Sequence, residues 1–254
     1  MIGVIDSGSG GINVILECTK YYNEDFVYLV DNKNCPYGNK PQKLLKEILN
    51  KNIKFLIDNY DLDLIIIACN TISALIDYSF MLEYKIPILK TSPNIKDIKK
   101  NGENLLVFAT KNTIFYNKEL KLLKLNYPKV RFLYIKNLPK FIDNYLTESS
   151  KNNELYLNKL LKSKFNKRYK NISIISLGCT HFKHIQKNIQ NNIKQNIDFW
   201  KCEEKVAKNS KWLVRKNKKQ NSIKILLTNF DKKLASGIKK LAHIENCSVE
   251  YIWK

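Results

Sequence analysis

Arginine is almost missing from this chain, present only at Arg131, Arg168 and Arg215, although the formal net charge is +21. That shortage bears on function. A basic balance can mark a nucleic-acid binder, because phosphate contacts dominate such affinity, yet readout of phosphates and bases draws on the bidentate guanidinium. Here lysine is spread along the whole chain among Asn, Ile and Tyr, and a coding bias that leaves a solvated lysine surface accounts for it more simply than nucleic-acid binding. The densest run, Lys211 to Lys219, keeps the basic-binder reading as an alternative. Histidine is scarce too, with three residues, and no C-x-x-C pair occurs among the six cysteines, so zinc-type spacing is missing and no metal site is expected. No apolar run approaches the roughly 20 residues that cross a bilayer, so no membrane role is expected. Met1-Ile2-Gly3-Val4 enters a strand pattern without a basic leader or signal core ahead of it, which points to the cytoplasm and to free thiols.

What is present is organised around two stretches. Leu62 to Thr71 is an apolar, β-branched run ending in a thiol, an amide and a hydroxyl, and Asn171 to His181 repeats the arrangement about 110 residues later. Each reads as a strand buried on both faces of a parallel sheet, followed by the polar start of a helix. Cys69 and Cys179 therefore sit where open α/β sheets bind ligands and where a thiolate is favoured. Cys18, Cys35, Cys202 and Cys247 read as small apolar core residues.

Alternation of strands and helices predicts α/β architecture with doubly wound parallel sheets, and the repeated cysteine junction favours two similar domains. Strands are expected at Ile2–Asp6, Asp25–Val30, the Cys69 run and Ile86–Leu89, with helices from about Asn13 to Tyr22 and from Pro41 to Tyr60. The latter buries Leu44, Leu45, Ile48, Ile53, Leu56 and Ile57. The pattern restarts near Asn94, with strands at Asn104–Ala109, Val130–Ile135 and the Cys179 run, and helices at Phe115–Leu125, Leu138–Tyr145, Glu154–Phe165 and Phe182–Ile193. The tail, with a helix at Lys205–Val214, a strand at Ile223–Leu227, a helix at Asp231–Ala242 and a strand at Val249–Trp253, is too small to stand alone. It is expected to complete the first sheet, so that 1–94 with 206–254 forms one domain and 95–205 the other.

The glycine-rich turn Ser7-Gly8-Ser9-Gly10-Gly11 lacks the third glycine of a dinucleotide fingerprint and the Gly-Lys-Ser/Thr of a phosphate loop. Its backbone amides can instead hold a carboxylate, with Asp6 beside it.

Asp6-Ser7-Gly8-x-Gly10-Gly11, Pro36-Tyr37-Gly38, Ala68-Cys69-Asn70-Thr71 and Gly178-Cys179-Thr180-His181, in that order, resemble the glutamate racemases of the aspartate/glutamate racemase superfamily. Thr110-x-x-Thr113 resembles a further turn of that family. The resemblance implies two doubly wound parallel-sheet domains facing each other across a cleft, one cysteine from each, and a cofactor-independent racemase interconverting L- and D-glutamate for peptidoglycan synthesis, with a thiol on each face of the substrate. Inversion at an α-carbon needs one group to remove a proton and another to supply one from the opposite face. By resemblance Cys69 acts on the D-enantiomer and Cys179 on the L-enantiomer, assisted by Asp6 and His181 respectively. Asp6, Ser7, Tyr37, Gly38, Asn70, Thr71, Thr180 and His181 would hold the substrate, and a homodimer follows by analogy only. The chain departs from the family at Lys183, where proline is usual, at Tyr116, where serine is usual, and at Asp198-Phe199-Trp200, where Asp-Ser-Gly is expected. Asp143 is the nearest candidate for the family's acidic residue after the Leu-Pro segment. Alternatives are a racemase or isomerase of aspartate or another small carboxylate, and a cysteine hydrolase built on Cys179 and His181.

Overall fold

The structure is a computed structural model describing residues 1–95, 104–148, 150–165, 169, 171–193, 195–214 and 220–252. Arg168, Arg215, Trp253 and the second half of the Lys211–Lys219 run lie outside the described residues. The chain runs through β1 (Ile2–Asp6), α1 (Gly11–Cys18), β2 (Asp25–Val30), α2 (Gln42–Asn59), β3 (Leu64–Ile67), α3 (Asn70–Ser73), α4 (Tyr78–Leu82) and β4 (Ile88–Lys90). Then come β5 (Leu105–Ala109), α5 (Lys111–Tyr116), α6 (Lys118–Asn126), β6 (Arg131–Leu133), α7 (Leu138–Thr147), α8 (Lys151–Lys164), β7 (Ile174–Gly178), α9 (Gln186–Asn192) and β8 (Asp198–Lys201). The last elements are α10 (Glu203–Ser210), β9 (Ser222–Leu227), α11 (Lys232–Ala242) and β10 (Cys247–Tyr251).

The strands form two parallel sheets, as the α/β reading requires: six strands in the order β10-β9-β2-β1-β3-β4 and four in the order β6-β5-β7-β8. β9 pairs with β2 and β10 with β9, so the tail lies in the six-stranded sheet. The central strands β1, β3, β5 and β7 are buried at every residue, which is why their sequences run apolar instead of alternating. Alternate residues of β1 and β3 feed different cores. Val4 and Ile66 pack with α1 residues Val14 and Ile15, while Ile5 and Ile67 pack with Leu45, Leu49 and Ile53 of α2. The second sheet is likewise covered on both faces, by clusters around Phe108 and Val107.

Several elements differ from the sequence reading, for local reasons. On α2 the buried stripe is Leu45, Ile48, Leu49, Asn52, Ile53 and Leu56, and Leu44 and Ile57 fall off its edges at 40% and 39% exposure. The helix expected over Phe115–Leu125 is two helices. Thr110 caps the first through the Thr113 N–H, and Asn117 breaks the run by accepting from the Leu120 N–H to start the second. After Cys179 the chain takes a 3-10 turn over Thr180–Ile185 before α9 begins. β8 was not expected. Asp198, Phe199 and Trp200 are strand residues there, and Asp198 accepts from the Trp200 indole at 2.8 Å.

Each sheet reverses its winding once. The chain leaves β1 outward through β2, and β3 starts on the opposite side of β1; likewise β6 lies beside β5 on one side and β7 on the other. Crevices beyond the carboxyl ends of the strands at such reversals are where open α/β sheets place ligands. The first reversal carries Asp6 and Cys69, the second Thr110 and Cys179.

Candidate active site

The two reversals meet. The Thr180 hydroxyl donates to Asp6 Oδ2 at 2.8 Å, and the hydroxyls of Thr71 and Thr110 lie 2.9 Å apart, with Thr113 Oγ1 a further 2.9 Å on. In both bridges a strand-end residue of one sheet touches a threonine just after the cysteine of the other. Cys69 and Cys179 are each 6% exposed, and charge on Cys179 would raise the proton affinity of Cys69.

Their surroundings differ. Burial pushes the Cys69 thiol well above its usual range, the Asp6 carboxylate adds to this, and the backbone N–H groups of Ile72 and Thr71 oppose it only in part. Asp6 is fully buried, and desolvation raises its proton affinity despite His181 and the hydrogen bonds from Thr180 and the Ser7 N–H, the latter at 2.6 Å. Around the other thiol, Cys179 Sγ lies 3.9 Å from His181 Nδ1, and His181 Nε2 lies 3.3 Å from Asp143 Oδ1. The last contact is an ion pair rather than an aligned hydrogen bond, since His181 Nε2 has no hydrogen-bond partner among the described residues. Burial opposes charge on His181, but the Asp143 carboxylate with Cys179 more than offsets it, and the imidazole is held well above its ordinary value. Desolvation works against the Asp143 carboxylate too, yet His181 and Ser9 bring it below the usual range. Ser9 supplies both its N–H, at 3.0 Å, and its hydroxyl, at 2.5 Å, to Asp143 Oδ1.

The glycine-rich turn is pressed against this constellation. A Cβ on Gly8 would stand 2.2 Å from Asp143 Oδ2, and one on Gly10 2.3 Å from Thr180 Oγ1, so only glycine lets the turn approach so closely. Tyr28 locks the turn from behind by donating its hydroxyl to the Gly8 carbonyl.

Of the residues singled out in the sequence, Asp6, Ser7, Cys69, Asn70, Thr71, Cys179, Thr180 and His181 all lie at the two reversals. Asn70 is 2% exposed, and its amide oxygen and nitrogen have no hydrogen-bond partner among the described residues. An unsatisfied buried amide costs roughly 1–3 kcal/mol, which a polar ligand would offset. Tyr37 is 1% exposed. Its phenol donates to Asp31 Oδ2 at 2.6 Å, and Asp31 is also bound by Thr228 at 2.8 Å and Asn34 at 3.0 Å. The ring is a strut for the Pro36-Tyr37-Gly38 turn, which leaves the backbone as what the turn can offer a ligand. Gly38 faces Thr110, 3.1 Å from where its Cβ would be.

Asp143, noted in the sequence only as a nearest candidate, is the carboxylate on His181, and Cys35, read as core, lies 3.7 Å from Asp143 Oδ2. Cys202, also read as core, sits beside Glu203 at 3.5 Å, close to Asn70. Cys18 and Cys247 do pack in the first core. Among the described residues, no group of three or more His, Cys, Asp or Glu side chains is arranged to hold a metal ion, and no helix is long and apolar enough to cross a membrane.

No protein-family model matches the chain. Curated relatives do. It is 34% identical over 197 residues to a glutamate racemase of Clostridium botulinum (strain Okra / Type B1), covering 74% of each chain. To a glutamate racemase of Campylobacter curvus it is 31% identical over 199 residues, covering 74% of this chain and 73% of that one. Solved structures superpose over nearly the full length. A glutamate racemase isoform of Bacillus anthracis gives a TM-score of 0.83 at 22% identity, covering 99% of this chain and 97% of its own. The Escherichia coli glutamate racemase in complex with L-glutamate and an activator gives 0.80 at 19%, covering 100% and 98%. The Francisella tularensis glutamate racemase in complex with D-glutamate gives 0.74 at 25%, covering 99% and 96%. With a cysteine at each of two paired sheet reversals and this degree of likeness to the curated relatives, the chain belongs to the glutamate racemase family of the aspartate/glutamate racemase superfamily.

Proposed function

We propose that the protein interconverts L- and D-glutamate in the cytoplasm by a two-base transfer between Cys69 and Cys179 that needs no cofactor, supplying D-glutamate for peptidoglycan. The observation that carries this reading is the contact of the two cysteine-bearing reversals through the Asp6–Thr180 and Thr71–Thr110 hydrogen bonds, which supports a site shared by both thiols. With L-glutamate bound, the Cys179 thiolate takes the α-proton and the Cys69 thiol delivers its own to the opposite face, leaving Cys69 as thiolate and Cys179 as thiol. D-glutamate runs the exchange backwards.

The neighbours suit these roles. Asp6, with its raised proton affinity, can accept the proton that must leave Cys69 before that sulfur acts as a base, and once neutral it no longer repels the thiolate. His181, held charged by Asp143, can pass a proton to Cys179 or stand as counter-ion to its thiolate. The Asn70 amide, the Ser7 hydroxyl and the backbone of Tyr37 and Gly38 supply donors for two carboxylates, and the Thr71 and Thr180 hydroxyls join them by turning from Thr110 and Asp6 towards the substrate. Glutamate as the substrate is supported by the names of the curated relatives and by the glutamate held in two of the solved neighbours.

The line Cys179–His181–Asp143 would also serve a cysteine hydrolase, but that chemistry leaves Cys69 without work. Circular dichroism of purified protein with each enantiomer of glutamate and of aspartate tests the reading. Decay of both glutamate signals to zero, with aspartate changing far more slowly, is expected. Unchanged glutamate alongside racemising aspartate would reassign the substrate, and inertness towards both would sink the activity.

A further inference from the structure

Asn13 and Glu17 are four residues apart and so share one face of α1, and Ser9 precedes them in the turn that leads into the helix. Each is at most 5% exposed, and each meets the segment that carries the second thiol or its supporting carboxylate. Ser9 holds Asp143. Asn13 Nδ2 donates to the Thr180 carbonyl at 2.9 Å and lies 3.2 Å from His184 Nε2. Glu17 lies 3.9 Å from Lys183 Nζ, which is 3.0 Å from Glu203, itself 1% exposed. The residues paired in this way are up to 171 positions apart in sequence.

We propose that this face of α1 is a rail that sets the Cys179-Thr180-His181 turn against Asp6 and Cys69, with Asn13 and Lys183 as positioning residues that do not touch the substrate. Asn13 fixes the carbonyl of the residue that follows Cys179. Lys183, standing where the family has proline, anchors the far end of the same turn to two buried carboxylates on α1 and α10. Removing its charge leaves Glu203 buried without a counter-ion, so the turn must shift or admit water. A displacement on the order of 1 Å at a reacting group can lower a rate about 10²-fold.

The kinetic part of the test rests on the racemase reading, and the chemical part does not. Asn13→Ala and Lys183→Met are compared with wild type and with Lys183→Arg, following kcat, KM, the α-deuterium isotope effect in each direction, and alkylation of Cys69 and Cys179 by iodoacetamide mapped by mass spectrometry. The expected result is a fall in kcat of roughly 10- to 100-fold with KM changed less than about threefold. The isotope effect should rise for L-glutamate and not for D-glutamate, the ratio of Cys179 to Cys69 alkylation should change, and Lys183→Arg should stay near wild type. Wild-type kinetics in both variants, or equal changes at the two thiols, would overturn the rail. If wild type racemises nothing, the racemase reading fails alone, because the alkylation ratio still decides the proposal. If Lys183→Met does not fold, Asn13→Ala decides it.

Discussion

The two sheet reversals are built alike and charged oppositely. Each delivers a cysteine from a fully buried strand, and each reaches across to a threonine or strand end of the other. Beside Cys69, however, stands a carboxylate with raised proton affinity, and beside Cys179 an imidazole held in its charged form by Asp143. A symmetric scaffold with a proton acceptor at one thiol and a proton donor at the other suits a reaction that must move one proton in and one out. The asymmetry also shows how the halves depend on each other. His181 lowers the proton affinity of Asp6, and Ser9 of the first half holds the carboxylate that charges His181.

The comparison breaks most completely when either thiol is removed. Cys69→Ala and Cys179→Ala should each cut racemisation by about 10²–10⁴-fold or more while far-ultraviolet circular dichroism stays native. Next in size is Gly8→Ala, whose methyl would overlap Asp143 Oδ2 and stand 2.6 Å from His181 Nε2. It should lower kcat by about 10²-fold, whereas Gly38→Ala, facing a Thr110 carbon at 3.1 Å, should lose much less. Steady-state assays of the two alanine variants side by side check this, and equal losses would mean that the glycine-rich turn has no special place at the second thiol.

A subtler change separates the two charges. Asp143→Asn should let His181 fall towards its ordinary range, moving the basic limb of the kcat/KM profile to lower pH, while Asp6→Asn should abolish an acid limb that lies above the usual carboxylate range. The same pair sets a stability window. The Asp143 contribution is present above about pH 4 and is lost as pH falls through its depressed native value. The His181 contribution is complete below about pH 6.5 and is lost as pH rises through its raised native value. Urea midpoints of Asp143→Asn should therefore converge with wild type at both ends of the pH range. The smallest effect concerns His184, which burial and the nearby His181 charge bring down to about 4. Because the unfolded chain takes up that proton first, wild type should lose stability as pH falls from about 6.5 to 4. His184→Gln should flatten that slope, and an unchanged slope would show that His184 is not desolvated in the folded protein.

Much of this was legible in the sequence. β1 and β2 were read at their observed boundaries, and both cysteine junctions were placed at strand ends, because fully buried parallel strands announce themselves as short apolar runs closed by polar residues. Edge strands were less legible. β8 has an exposed aspartate and only half-buried residues, so Asp198-Phe199-Trp200 carries no strand pattern. Asn117 ended one helix and began another through a side-chain cap that periodicity does not display. The site's remaining members were invisible for a different reason. Ser9, Asn13, Glu17 and Cys35 look like ordinary turn and helix residues until the fold brings Asp143, Thr180 and Lys183 against them.

The most direct test of opposed thiols is the fate of the α-hydrogen in deuterated buffer, followed by proton NMR and chiral chromatography from pure L-glutamate. Wild type should form D-glutamate carrying one solvent deuterium at the α-carbon while unreacted L-glutamate stays largely protiated, and Cys69→Ala should form no deuterated D-glutamate. D-glutamate that retains the original hydrogen, or undiminished racemisation by Cys69→Ala, would contradict the two-thiol account.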